Sequence, residues 1–190
     1  MEISAIVLTG GRSSRFGSDK TTALLGQKPL VNHLLDSIPD QWPIVIVGPA
    51  FEYFRRSLQF TREEPVGGGP VCAVNAGLQM ISTEFVVVIA ADMPFAGRLL
   101  KEFSMRVVNR DGLVALDDEG IPQSLCALYR VAPLRTALKA VQAQGGLDGQ
   151  SMKNLIGLLD IEEISLGKEF ASSLLDIDTP EDLERLNSEE

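Results

Sequence analysis

Apolar segments of strand length alternate with segments of helical period along the chain, and this alternation constrains the fold more than any other feature. The clearest strand segments cover residues 4–9, 44–47 and 84–90, and apolar residues dominate each of them. Unbroken apolar strands are typical of parallel sheets that are covered by helices on both faces. The pattern therefore predicts an α/β fold with a mostly parallel sheet, whose ligands bind beyond the carboxyl ends of the strands.

Periodicity and end signals extend this prediction to the rest of the chain. In the segment 29–38, the residues Leu30, Leu34 and Ile38 recur on one helical face. Thr179 is a good N-cap with Pro180 at the first helical position, so it predicts the start of the last helix. The predicted strands are 4–9, 44–47, 58–62, 84–90, 113–116, 125–129 and 161–166, and the predicted helices are 29–38, 70–81, 94–108, 133–142, 151–159 and 180–187.

Length and charge limit the classes of function. The chain has 190 residues, of which 45% are hydrophobic and 23% charged, close to globular averages, so we expect a single domain over 1–190. The formal net charge of −9 excludes nucleic-acid polymers as expected partners and disfavours anionic membranes, because both need a basic face. Residues 1–30 nevertheless carry four basic against two acidic residues, whereas 176–190 carry seven acidic against one basic. The acidic total therefore does not argue against a bound triphosphate.

Targeting and redox features are few. The N-terminal apolar run has no basic region before it and ends early at two glycines, so we expect no signal peptide. No stretch reaches the roughly 18 apolar residues that a spanning helix needs. Two cysteines, Cys72 and Cys126, and one histidine are too few for a common zinc site or a disulfide framework. We expect a cytoplasmic protein with both cysteines buried in its packing.

The segment 9–20, TGGRSSRFGSDK, follows the first predicted strand and is the strongest candidate for chemistry. Glycines allow close backbone approach, and successive backbone N–H groups can form an anion cradle. Three cations fall within nine residues, namely Arg12, Arg15 and Lys20. The segment is therefore interpreted as a site for several linked phosphates, although neither GxxxxGK[ST] nor GxGxxG is present. The alternative is a flexible glycine-serine loop with solvated cations.

Three further segments combine acidic or glycine residues with a position at the end of a predicted strand or the start of a predicted helix. Asp92 in ADMP comes after the most apolar strand, where it could hold Mg²⁺ against phosphate oxygens or cap the following helix. The segment 63–70, EEPVGGGP, is a candidate base- or sugar-binding loop, with a plain connection as the alternative. Asp178 stands just before the last predicted helix. It is interpreted either as a second metal ligand or as an ordinary acid that the helix dipole stabilises.

Together these segments resemble the nucleotidyltransferases of the glycosyltransferase-A-like fold, and most closely the molybdenum cofactor guanylyltransferase family, also called molybdopterin-guanine dinucleotide biosynthesis protein A. The family signature LxGGxSxRxGxDK stands here as LTGGRSSRFGSDK over residues 8–20, and GGGP, ADMP and DIDTPEDL follow in family order. The resemblance covers nearly the whole chain. It implies a Rossmann-like three-layer α/β/α sandwich of the nucleotide-diphospho-sugar transferase type.

The resemblance also implies a reaction: molybdopterin and GTP give the guanine dinucleotide cofactor and pyrophosphate, with Mg²⁺ as cofactor. The implied partners are these two small molecules and, transiently, molybdenum-cofactor biosynthesis proteins and target apoenzymes. Carried over by position, the catalytic residues are Arg15, Lys20 and Asp92, and the metal ligands are Asp92 and Asp178. The implied nucleotide-binding residues are Leu8, Thr9, Gly10, Gly11, Arg15, Lys20, Glu64 and Asp92.

The sequence departs from the family pattern at several positions. Thr9 stands where the family usually has Ala, Gly48 where it often has Asn, and Glu64 where Asp is commoner. Ser124 stands in a run where Pro is usual, and Gln150 lies where basic residues are frequent. These changes leave two alternatives open: cytidylyl or other nucleotidyl transfer to a different phosphorylated acceptor, and a catalytically impaired nucleotide-binding module.

Overall fold

The computed structural model describes residues 1–10, 23–177 and 179–188. Apolar residues form most of the strands, and the helices begin at the predicted proline and threonine signals or close to them. The strands are β1 (Ile3–Leu8), β2 (Leu24–Leu25), β3 (Lys28–Pro29), β4 (Ile44–Val47), β5 (Gln59–Thr61), β6 (Phe85–Ala90), β7 (Gly112–Leu116), β8 (Pro122–Arg130) and β9 (Ile161–Ser165). The α-helices are α1 (Leu30–Ser37), α2 (Pro70–Leu78), α3 (Gly97–Met105), α4 (Val131–Gly145), α5 (Met152–Ile156) and α6 (Pro180–Ser188), and a 3-10 helix covers Lys168–Leu174.

One seven-stranded sheet organises these elements in the order β5-β4-β1-β6-β8-β7-β9, and β2 and β3 form a small separate hairpin. The central strand β1 pairs in parallel with β4 and β6, so that Ile6 lies opposite Val45 and Val88. Only β8 runs against its neighbours β6 and β7. The sheet is therefore mostly parallel, and the strands on either side of β8 end at one common edge, here called the carboxyl edge.

Apolar side chains cover both faces of the sheet, as the unbroken apolar strands predict. Along β1, Ala5 and Val7 contribute to one core with α1 and α3, whereas Ile6 and Leu8 contribute to the other with α2, α4 and α5. A Cβ at Gly77 would lie 2.8 Å from the Ile6 side chain, so glycine lets α2 pack directly on the sheet. The three-layer α/β/α architecture is confirmed.

Most predicted elements are present, with shifted ends. The helix predicted at 94–108 begins only at Gly97, and the strand predicted at 125–129 extends over Pro122–Arg130. The predicted cap of the last helix is confirmed, because the Asp182 amide donates to Thr179 Oγ1 at 3.1 Å and the Thr179 amide donates back to the Asp182 carboxylate. The β2–β3 hairpin and the 3-10 helix have no counterpart in the prediction, because both are too short for a periodic signal.

The two cysteines are buried and unbridged, as expected. Burial raises the pKa of the Cys126 thiol to about 12. Within the described residues, no helix is both long and apolar enough to cross a membrane.

Candidate functional site at the carboxyl edge

The carboxyl edge brings together segments that are far apart in the chain. Leu8 ends β1, and its carbonyl accepts a hydrogen bond from the Ala91 amide at 3.0 Å, which holds the segment after β6 against β1. On the other side, the Gly48 amide donates to the Thr61 carbonyl at 2.9 Å, which joins the ends of β4 and β5. Parallel pairing therefore assembles the predicted site residues Leu8, Thr9, Gly10 and Asp92 at one edge.

Three donors converge on the Val47 carbonyl at the end of β4. The amides of Thr9 and Gly10 donate to it at 3.0 and 3.2 Å, and the Thr9 hydroxyl donates at 3.3 Å. The N–H groups of Thr9 and Gly10 are thus already used inside the protein, which does not favour them as the predicted phosphate cradle. The remaining residues of the predicted phosphate loop, among them Gly11, Arg15 and Lys20, lie outside the described residues.

Gly48 follows Val47 with a φ of +150°, a conformation that side-chain-bearing residues rarely adopt. A Cβ on Gly48 would lie 2.2 Å from Thr9 Oγ1 and 3.0 Å from the Gly10 amide nitrogen. The Thr9 hydroxyl therefore fills the space that a side chain at position 48 would enter. The side chains that positions 9 and 48 can carry are therefore sterically linked.

The acid that reaches the edge from β5 is Glu63, not Glu64. Glu63 is buried, and its carboxylate accepts a hydrogen bond from the Gly67 amide at 3.1 Å. A Cβ on Gly10 would lie 3.5 Å from the same Glu63 oxygen, so the carboxylate stands beside the end of β1. Glu64, the predicted nucleotide contact, is exposed. No sequence signal separated the two acids, because the predicted strand 58–62 does not fix which of two adjacent residues beyond it turns inward.

The segment 67–69 is a tightly held glycine loop. Gly68 has no room for a side chain, since a Cβ there would lie 2.8 Å from the Pro65 carbonyl oxygen and 2.9 Å from the sulfur of Cys72. The Gly68 carbonyl accepts from the Gly149 amide at 2.9 Å, which ties the glycine loop to the region before Gln150. Burial, with the nearby charges of Asp148 and Glu63, raises the pKa of the Cys72 thiol. The loop is therefore shaped by packing and flanked by acids.

Asp92 is half-buried just beyond β6, and its backbone carbonyl accepts from the Ile177 amide at 2.9 Å. The helix that follows begins at Gly97 with Ala96 as its N-cap residue, so the alternative role of Asp92 as its cap is wrong. Asp178, the second predicted metal ligand, lies outside the described residues, although its neighbour Ile177 lies against Asp92. No cluster of three or more His, Cys, Asp or Glu side chains that could hold a metal occurs among residues 1–10, 23–177 and 179–188.

The Asp92 carboxylate is a type of ligand that Mg²⁺ accepts. Mg²⁺ is bound in proteins by one or two carboxylates together with substrate phosphates and water, rather than by a full protein cage. Asp92 offers one such carboxylate at the carboxyl edge, where Gly10, the last described residue before position 11, also lies. A single described carboxylate is thus compatible with a shared metal site.

The antiparallel strand β8 begins at the carboxyl edge, because Ile89 near the end of β6 pairs with Cys126. This direction places Gln123 and Ser124 at the edge, on the far side of Asp92 from β1. The Gln123 amide donates to the Asp117 carboxylate at 2.7 Å, which fixes its side chain. Polar residues of the second half of the chain thus border the site.

A cavity of about 460 Å³ opens at the carboxyl ends of β4 and β5. Its walls combine an aromatic ring, two small apolar residues and one cation. The lining residues are Gly48, Pro49, Ala50, Phe60, Thr61 and Arg62.

Similar proteins share this architecture. The fold resembles that of molybdopterin-guanine dinucleotide biosynthesis protein A from Archaeoglobus fulgidus with a TM-score of 0.74, 24% identity, and coverage of 99% of this chain and 97% of that one. It also resembles 2-C-methyl-D-erythritol 4-phosphate cytidylyltransferase from Thermus thermophilus, with a TM-score of 0.69, 18% identity, and coverage of 99% and 98%. One fold therefore accommodates proteins named for different bases.

Curated relatives match nearly the full length of this chain. A probable molybdenum cofactor guanylyltransferase from Natronomonas pharaonis is 29% identical over 205 residues, covering 97% of this chain and 96% of the relative. Another from Carboxydothermus hydrogenoformans is 23% identical over 187 residues, covering 97% and 94%. The family model of the MobA-like NTP transferase domain matches residues 5–157. This match runs from within β1 through β8, and the chain accordingly belongs to the MobA-like NTP transferase family, a family of nucleotidyltransferases.

Proposed function

We propose that this protein transfers GMP from GTP to molybdopterin, forming molybdopterin guanine dinucleotide and releasing pyrophosphate. The observation that carries the proposal is the assembly of the ends of β1, β4, β5 and β6 into one edge that holds Asp92 beside the start of the phosphate-loop segment. The full-length relatives named as guanylyltransferases support the choice of GTP and molybdopterin.

In the proposed reaction, an oxygen of the terminal phosphate of molybdopterin attacks the α-phosphorus of GTP. The new P–O bond forms as the bond between the α-phosphorus and the bridging oxygen breaks, and pyrophosphate leaves. Arg15 and Lys20 neutralise charge on the phosphates, and Asp92, with Asp178, holds Mg²⁺. Bound Mg²⁺ supplies charge stabilisation to the phosphate oxygens. No covalent enzyme intermediate is required, because positioning and charge neutralisation provide most of the rate enhancement in phosphoryl-type transfer.

Glu63 and the glycine loop frame the nucleotide in this proposal. The Glu63 carboxylate supports the loop through the Gly67 amide and stands beside Gly10. We assign to Glu63 the nucleotide contact that the resemblance implies for Glu64, because Glu63 is the buried acid at the edge. Ser124 and Gln150 border the acceptor side.

The deciding experiment measures pyrophosphate release from GTP, CTP and ATP in Mg²⁺, with and without molybdopterin. We expect GTP with molybdopterin to be the productive pair. Productive turnover with CTP in place of GTP would favour cytidylyl transfer, a reaction for which the shared fold of the Thermus cytidylyltransferase provides precedent. Nucleotide binding without turnover on any acceptor would favour the catalytically impaired module.

A further inference from the structure

The β2–β3 hairpin is held from two sides, by α1 and by the C-terminal helix α6. On the α1 side, the Leu30 amide donates to the Ala23 carbonyl at 2.8 Å, and a ring N–H of His33 donates to the Leu25 carbonyl at 3.0 Å. On the α6 side, Asn187 contacts the hairpin across a sequence separation of 161 residues. The position of the hairpin therefore depends on a helix that is remote from it in the sequence.

The Asn187 side chain binds the hairpin as a neighbouring strand would. The Gly26 amide donates to Asn187 Oδ1 at 2.6 Å, and Asn187 Nδ2 donates to the Leu24 carbonyl at 3.2 Å. These two backbone groups flank Leu25 and form the donor and acceptor pair through which a strand edge binds its neighbour. A carboxamide matches such an edge because it carries both a donor and an acceptor.

Apolar packing joins the hairpin to the segment that supports Asp92. Leu25, Leu30 and Ile177 are buried in one cluster, against which two leucines of α6 pack. The Ile177 amide donates to the Asp92 carbonyl at 2.9 Å. The hairpin, α6 and the backbone of Asp92 are therefore connected through contacts between described residues.

The hairpin also comes directly after the segment that we assign to the phosphates. Lys20, which neutralises phosphate charge in the proposed reaction, precedes Leu24 by only four residues in the sequence. A chain spans at most about 3.6 Å per residue. The point at which the hairpin is anchored therefore limits where Lys20 can act relative to Asp92.

We propose that Asn187 is a positioning residue, which anchors the hairpin so that Lys20 and Asp92 act on the same triphosphate. The inference rests on the proposed function and adds to it a role for the C-terminal helix. Asn187 is exposed, and hydrogen bonds of this kind contribute modestly. We therefore expect their loss to weaken phosphate binding roughly three- to tenfold rather than to abolish it.

The test compares Asn187→Ala, which removes both hydrogen bonds, with Ser188→Ala at the next position of α6. Ser188 is the matched control, because its hydroxyl donates to the Arg185 carbonyl within the helix at 2.7 Å. Hydrogen exchange of the Gly26 amide reports the anchoring directly. Calorimetric titration with GTP and with inorganic tripolyphosphate, both in Mg²⁺, reports its effect on binding, which a purely structural role would not change.

We expect Asn187→Ala to accelerate hydrogen exchange at Gly26 and to raise the Kd for both ligands about three- to tenfold. Ser188→Ala should match the wild type in both measurements, and thermal unfolding verifies that each variant folds. A raised Kd with unchanged exchange at Gly26 would overturn the inference, because Asn187 would then not act through the hairpin. A loss of affinity for GTP without one for tripolyphosphate would overturn it too, since the phosphate contacts would be intact.

Two further outcomes separate this inference from the proposed function. Unchanged Kd values for Asn187→Ala, or equal losses for Ser188→Ala, would overturn the positioning role and leave the proposed function intact. Wild-type protein that binds neither GTP nor tripolyphosphate would contradict the proposed function, and the inference would fail with it.

Discussion

The two halves of the sheet contribute differently to the candidate site. In the half formed by β5, β4, β1 and β6, all strands are parallel, and their ends bring Thr9, Gly48, Glu63 and Asp92 to one edge. In the half formed by β8, β7 and β9, the reversed strand β8 sends Gln123 and Ser124 to that edge from its amino end. The parallel half brings two carboxylates to the edge, those of Glu63 and Asp92. The other half brings the uncharged Gln123 and Ser124, and its Asp117 carboxylate accepts a hydrogen bond from the Gln123 amide. The two halves of one mixed sheet thus place different groups at the same edge.

The largest expected effect comes from removing the Asp92 carboxylate from the parallel half. Asp92→Asn keeps the shape and removes the charge, so we expect turnover to fall roughly 100- to 1,000-fold, the usual loss when an electrostatic group of the transition state is removed. Initial rates of pyrophosphate release measure the effect. Asp160→Asn is the control in the other half, because the Asp160 carboxylate forms an exposed ion pair with Arg110, and we expect its rate to stay near wild type. Wild-type turnover by Asp92→Asn would contradict the difference between the two halves.

Gly48→Ala tests the packing at the junction of β1 and β4. The new Cβ would meet Thr9 Oγ1 and would sit at a positive φ, so we expect the free energy of unfolding to fall by about 2 kcal/mol. In a Thr9→Ala background the main clash disappears, and the same change should cost less. Urea unfolding of the four proteins in this cycle measures the coupling. Additive losses would show that the two positions act independently.

Substitution of Tyr53 by Phe tests whether the parallel half contains groups that stabilise the fold without affecting catalysis. Its hydroxyl donates to Asp36 on α1 at 2.5 Å, and burial together with this carboxylate raises the pKa of Tyr53 to about 12 from 10.0. Burial would raise the pKa of Asp36, but hydrogen bonds from Lys28 and Tyr53 and the Lys28 charge lower it overall. We expect Tyr53→Phe to lose about 1 kcal/mol of stability at neutral pH while pyrophosphate release is unaffected.

The pH dependence of the same variant provides a second measurement. The raised pKa of Tyr53 makes its contribution fully present below pH 10 and lost as the pH rises through about 12. The unfolding free energy of the wild type should therefore fall more steeply than that of Tyr53→Phe over this interval. If the unfolding free energies of the two proteins changed with pH in parallel, the Tyr53–Asp36 hydrogen bond would not stabilise the fold.

Gln150→Lys tests the proposed acceptor side of the site, and its expected effect is the smallest. Gln150 is half-buried next to Gly149, whose amide binds the glycine loop. A cation there would add one partly exposed ion pair to a phosphorylated acceptor, so we expect the acceptor KM to fall roughly two- to fivefold with an unchanged KM for GTP. Steady-state kinetics with each substrate varied in turn separates the two constants. A change in the KM for GTP alone would indicate that Gln150 lies near the nucleotide rather than the acceptor.

The sequence by itself determined the strand pattern, the α/β class and the order of the motif segments, because the period of apolar residues and the end signals are local properties. It also identified Asp92 correctly as a residue at the end of a buried strand. Tertiary structure alone decided that Glu63 rather than Glu64 turns inward, because the geometry beyond β5 sets which of two adjacent acids is buried. It also decided that the amides of Thr9 and Gly10 bind Val47, and that Thr9 and Gly48 share one space, because both result from parallel pairing of strands almost 40 residues apart.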